Sequence, residues 1–177
     1  VVGEGPAVEA VKSALGDVNV NVFPVEVDLL DGFDLAIVSD TTGAPTFEAA
    51  DKECDRWIAI EVGGLGGAPI EKVDAAVTLF DSACYSCLQS RISSTGVEPA
   101  ATPRGRRSAV RFAGALAGRQ AIQLLAGEPV TDTIWEVPGA KRSLLPVPGC
   151  SCGSDPQYEL PDTDQTRPLS AAIEHAE

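Results

Sequence analysis

The sequence predicts a three-layer α/β domain in which helices cover both faces of a mainly parallel sheet, and three observations predict it. The opening VVGEGPAVEAVKSALGD reads as the end of a strand, a turn through Gly3 and Gly5, and a helix with apolar Ala7, Val8, Val11, Ala14 and Leu15. DLAIVSD, ending at Asp40, has the continuous apolar run of a strand buried on both faces. From Arg104 to Leu125, apolar Ala109, Phe112, Ala113, Leu116, Ala117, Ile122 and Leu125 recur at helical spacing, and Gly127 and Pro129 end the segment.

The remaining elements follow in order. VNVNVFPVEV alternates Val18, Val20 and Val22 with polar residues, as a half-exposed strand does. Pro45 suits a first helical turn, so TFEAADKECDRW predicts a short helix with Phe47, Ala50 and Cys54 on one side. On that apolar side Cys54 reads as a small hydrophobe. WIAIEV and AAVTLF predict two strands joined by a flexible turn at GGLGG, residues 63–67. TIWEV and SLLPV supply short final strands. Strands and helices in this order make a Rossmann-type arrangement.

The 177 residues carry 26 Asp and Glu against 13 Lys and Arg, a formal charge of −13. Such a surface repels nucleic-acid phosphates and anionic lipid, whose binding rests on Lys and Arg displacing counterions, so neither nucleic acid nor membrane is an expected partner. Acidic excess with only four lysines also predicts adaptation to high salt. No apolar run is long enough to span a bilayer and no signal-peptide pattern opens the chain, so a cytoplasmic location is expected. The chain starts at Val1 and contains no Met, which predicts a piece of a longer protein. The domain is expected to occupy residues 1–153. Residues 154–167, rich in Pro, Asp and Gln, read as a linker, and PLSAAIEHAE at 168–177 as the start of a further helix with Ser170 at its N-cap. His175 there is expected to face solvent, and with no second histidine no Ser, His and Asp triad can be built.

Four of the five cysteines form two close pairs, Cys84 with Cys87 and Cys150 with Cys152. Structural zinc sites take their ligands from two such turns, each presenting two sulfurs about 2.3 Å from one ion. Gly149 and Gly153 flank the second pair and let the backbone bend around a metal. A disulfide framework would need an oxidising compartment and would leave one of five cysteines unpaired. A redox pair at Cys84 and Cys87 would leave two thiols without a role. Structural zinc accounts for all four, and an all-sulfur set leaves no open position for substrate water.

The same stretches resemble the ThiF-like family of ubiquitin-activating-type adenylating enzymes. WIAIEVGGLGGAPIEKVDAAVTLFDSACYSCL is similar to the family's strand, glycine turn, strand and C-x-x-C; RSAVRFAGALAGRQAIQLLAGEP resembles its long alanine-rich helix; PVPGCSCG resembles its second zinc half. The resemblance runs over residues 1–153 and implies a ThiF-like fold with a C-terminal zinc knot, ATP as a cofactor, and a homodimer.

It also implies a nucleotide site at Gly3, Gly5 and Asp40, the last near the family's magnesium-binding Asp. Gly3 and Gly5 lie where a helix N-terminus favours a phosphate. The chain departs from the family pattern here, because the ribose-binding Asp and the Asn, Arg and Gln group expected after the second strand have no counterpart between NVFPVEVDLLDGF and DLAIVSD. Arg104, Arg106 and Arg107 read as a solvated helix start. The implied member is degenerate, of the kind joined to YcaO proteins, and PLSAAIEHAE is similar to the helix that opens a YcaO domain. The resulting expectation is a non-catalytic scaffold that docks a peptide or protein substrate for a downstream YcaO-like domain, which forms azoles or thioamides with ATP as in bacteriocin biosynthesis. The alternative is a divergent adenylating enzyme or nucleotide-binding module.

Overall fold

A computed structural model describes residues 1–16, 18–63, 73–94 and 105–152. The expected linker and downstream helix, Gly153, His175, Arg104 and residues 64–67 of the glycine turn lie outside them.

The elements are α1 (Pro6–Leu15), a short 3-10 turn (Val27–Leu29), β1 (Ala36–Thr41), α2 (Pro45–Glu53), β2 (Trp57–Val62), β3 (Ala75–Phe80), α3 (Tyr85–Ser93), α4 (Arg107–Leu125), β4 (Thr133–Val137) and β5 (Lys141–Ser143). The five strands form one sheet in chain order. Alternation along each strand sends one set of side chains to each face. Ile37, Ile58, Ile60, Val77 and Leu79 meet α1 and α4 on one side. Val38, Trp57, Ala59, Ala76 and Phe80 meet α2 and α3 on the other, where the four paired cysteines also pack.

The three layers are as expected, but the sheet is mixed instead of mainly parallel. Only β1 and β2 run parallel; β2 with β3, β3 with β4, and β4 with β5 are antiparallel. The connection from Val62 to Ala75 contains no described crossover helix, and a short link between neighbouring strands returns the second against the first. Asp74, at the foot of β3, accepts the Arg106 N–H at the start of α4 at 2.9 Å. Helix α4 therefore climbs the sheet and delivers the chain to the end of β3, so β4 starts at Thr133 opposite Leu79 and runs back down.

Three local expectations also change. VNVNVFPVEV forms no strand: Val2 takes the place beside β1 through a parallel bridge to Val38, and the segment is tied at its ends, Val18 N–H donating to the Leu15 carbonyl and Val25 N–H to the Val1 carbonyl. The last strand is Lys141–Ser143, so SLLPV leaves the sheet after Ser143; Leu144 is buried and Leu145 exposed. Cys54 ends α2 as its C-cap, half-buried, where burial pushes its thiol up.

On α4 the buried stripe is Val110, Ala113, Gly114, Ala117, Gly118, Ala121 and Leu124, while Phe112 and Leu125 point outward. Small residues let α1 approach closely: a Cβ at Gly114 would run into the backbone of Ala7.

Candidate metal centre

The first sulfur pair is set where β3 ends and α3 begins. Asp132, at the start of β4 and 6% exposed, turns its carboxylate onto this loop. It accepts the N–H groups of Asp81, Ser82 and Ala83, and the Ser82 hydroxyl. Asp51, near the end of α2, accepts the Tyr85 N–H at 2.9 Å and so caps α3 from outside, as well as the Trp57 indole N–H at 3.3 Å. Burial raises the Asp51 carboxyl above its ordinary value. Cys84 occupies the N-cap position of α3, and Cys87, buried in the first turn, donates its N–H to the Cys84 carbonyl.

The second pair sits on a turn that the sequence writes plainly. Val147, Pro148, Gly149 and Cys150 close a hydrogen bond from Cys150 N–H to the Val147 carbonyl, with Gly149 at φ +81°. Pro then Gly at the two central positions is the signature of a type II turn. Arg91 of α3 clamps the approach by donating to the Leu145 carbonyl at 2.8 and 3.2 Å, and Val147 N–H donates to the Cys87 sulfur at 3.2 Å.

All four sulfurs lie within 4.8 Å of one another. Cys84 Sγ is 3.4 Å from Cys150 Sγ and 3.7 Å from Cys87 Sγ, and Cys87 Sγ is 3.4 Å from Cys152 Sγ. These separations exclude sulfur–sulfur bonds, and all five cysteines are free. Four thiolates about 2.3 Å from one ion at tetrahedral angles stand about 3.8 Å apart, so the donor set fits a single metal ion. Burial pushes the Cys84 and Cys152 thiols up, while hydrogen bonds, first that with the Cys152 backbone, bring Cys150 down to about 7. Protons on this cluster belong to the set, and a metal ion would displace them.

Beneath α3, Phe47, Trp57, Phe80 and Tyr85 form one aromatic cluster, with Trp57 stacked on Phe80 at 4.4 Å. The Tyr85 hydroxyl reaches back to Glu61 Oε1 at 3.3 Å. Glu61 is wholly buried, its Oε2 has no hydrogen-bond partner among the described residues, and burial pushes its carboxyl up to about 7.

Gly3 and Asp40 come together in a separate cleft of about 620 Å³ with Arg107, between the starts of α1 and α4 and the ends of β1 and β2. Gly5 lies beside it at φ +90° as the N-cap of α1. Gly3 is at φ +104°, and a Cβ there would strike the Ser39 carbonyl, so backbone packing alone requires glycine. The Asp40 carboxylate is already engaged, accepting from Thr41 N–H at 2.7 Å and from the Thr46 hydroxyl at 2.6 Å.

Sequence reasoning missed Asp132, Asp51 and Glu61. Glu61 left a trace as the one charge inside WIAIEV. Asp132 and Asp51 left none, because the backbone N–H groups they hold, at Ala83 and Tyr85, are 49 and 34 residues away. No protein-family model matches the chain, and no curated protein matches it.

Proposed function

We propose that residues 1–153 form a zinc-stabilised, degenerate ThiF-like domain of Rossmann type. It acts as a non-catalytic scaffold that docks a peptide substrate for a YcaO-type, ATP-dependent backbone-modifying domain downstream. The observation that carries this reading is the convergence of Cys84, Cys87, Cys150 and Cys152 within 4.8 Å, from two turns far apart in sequence. Zinc suits an all-sulfur tetrahedral set, and with every position taken by sulfur it would act as a cross-link between the start of α3 and the turn after β5. The engagement of Asp40 by Thr41 and Thr46 supports loss of a magnesium-binding role.

Elemental analysis is expected to find one zinc per chain. Chelation or Cys87→Ser should lower the melting temperature by roughly 10 °C or more, since a structural metal contributes directly to folding free energy. Metal-free protein with unchanged stability would refute the zinc reading, and turnover of ATP to AMP by this chain would refute the scaffold.

One observation favours a second reading. The cleft shared by Gly3, Asp40 and Arg107 lies at two helix N-termini, where backbone N–H groups favour an anion. A divergent adenylating enzyme or nucleotide-binding module using Gly3, Gly5 and Asp40 predicts a melting temperature that rises with added ATP and magnesium.

A further inference from the structure

On the opposite face of the sheet from the cysteines, the C-terminal half of α4 and the β4–β5 hairpin leave a groove of about 290 Å³. Arg119, Gln120, Gln123, Thr133, Trp135 and Lys141 are among its walls, and no carboxylate of the described residues lines it. In a chain with twice as many acidic as basic residues, a groove with two cations and no acid is a local reversal of the surface charge.

The cations are not spent on the protein itself. Arg56, Arg106, Arg111 and Arg142 each sit against a carboxylate, whereas Arg119 has no ion-pair partner among the described residues. Lys141 places its ammonium 5.4 Å from the centre of the Trp135 ring, which holds the charge over the groove without neutralising it. Glu136, alternating with Trp135 along β4, is paired with Arg142, while Glu128 accepts the amide of the wall residue Gln123 at 2.8 Å and is the one carboxylate that this places beside the groove.

Gln120 is the second, independent observation. It is 8% exposed, yet its amide makes no hydrogen bond to any described residue. Its amide atoms remain open to solvent at the groove wall, where they can donate to and accept from a ligand.

We propose that this groove binds an acidic peptide segment: a Glu or Asp side-chain carboxylate on Arg119 and Lys141, and a neighbouring peptide group on Gln120, which can donate and accept at once. This names the class of peptide taken by the docking scaffold and rests on that reading. Strand β5 pairs only with β4 among the described strands, so its other edge offers main-chain groups to the same peptide. A nucleic acid, with a charge on every phosphate, is a poor occupant for a chain whose net charge is −13 and whose groove offers two cations.

Trp135 reports on the groove, while Trp57, the other tryptophan, is 1% exposed and supplies a constant background. The full 177-residue chain is titrated in about 0.1 M salt, where screening is modest. The probes are acetyl-Gly-Glu-Gly-Glu-Gly-amide, its Gln and Lys counterparts, and acetyl-pentaglycine with a free C-terminus. The Glu peptide is expected to change Trp135 emission saturably and to bind about tenfold more weakly to Arg119→Ala and to Gln120→Ala, with the melting temperatures of both variants unchanged. The Gln peptide and the free-acid peptide are expected to bind more weakly than the Glu peptide. Equal binding of the Gln peptide, or no effect of Arg119→Ala, overturns the charge recognition; equal binding of the free-acid peptide overturns the assignment to an acidic side chain. If the Gln or Lys peptide binds and the Glu peptide does not, this inference fails while the docking reading stands. If no peptide binds, both fail.

Discussion

Glu61 is a carboxyl with no exposure, whose Oε1 accepts from Tyr85 and whose Oε2 has no hydrogen-bond partner among the described residues. Burial lifts its folded value to about 7 from an ordinary 4.5, so between those limits the folded chain keeps a proton that the unfolded chain has released. Its contribution is complete below about pH 4.5 and is lost as pH rises through about 7, a change of ~3 kcal/mol. Glu61→Gln keeps an acceptor for Tyr85 and cannot ionise. Denaturation at pH 5 and pH 8 should therefore show the variant gaining on the parent chain by ~3 kcal/mol at the higher pH, and an unchanged difference between the two would count against a proton on Glu61. Asp132 works oppositely, as a buried acceptor for three N–H groups of the loop before Cys84. Asp132→Ala strands those donors, and urea unfolding is expected to show a loss of ~3 kcal/mol together with weaker metal retention.

At the scale of elements, the contact between α1 and α4 depends on side chains that are missing. Gly114 lies against the Ala7 backbone, and a Cβ at Gly118 would stand 2.7 Å from the Ala14 Cβ. Gly114→Val has no flexible neighbour to displace, so the helices must separate. The expected cost is ~3 kcal/mol, read as a lower urea midpoint, whereas Phe112→Ala on the outer face should change stability by less than about 0.5 kcal/mol. Apolar periodicity located α4 but set its face partly wrong, because Phe112 and Leu125 count as apolar in any pattern and yet 61% and 42% of their surfaces are exposed. The buried face is drawn by glycine and alanine, which carry almost no hydrophobic signal.

At the scale of the whole molecule, the charge of −13 opposes compaction. Raising salt from 0.1 to 1 M shortens the screening length from about 10 to about 3 Å, so the melting temperature should rise over that range. A scan with no salt dependence would show that the acidic surface is not under strain. No described helix is long and apolar enough to cross a membrane.

Residue order alone determined the three layers, the strands Ala36–Thr41, Trp57–Val62, Ala75–Phe80 and Thr133–Val137, and the pairing of the cysteines as one donor set. The elements are written in local periodicity, and each cysteine pair in the spacing of one turn, two such pairs being what a four-sulfur site needs. Tertiary structure decided that three of the four strand pairings are antiparallel, that VNVNVFPVEV is displaced from the sheet by Val2, and that Asp51 and Asp132 brace the loop before Cys84. Those outcomes depend on which distant segment reaches a given edge or carboxylate first, and that competition is settled only when the layers close on one another.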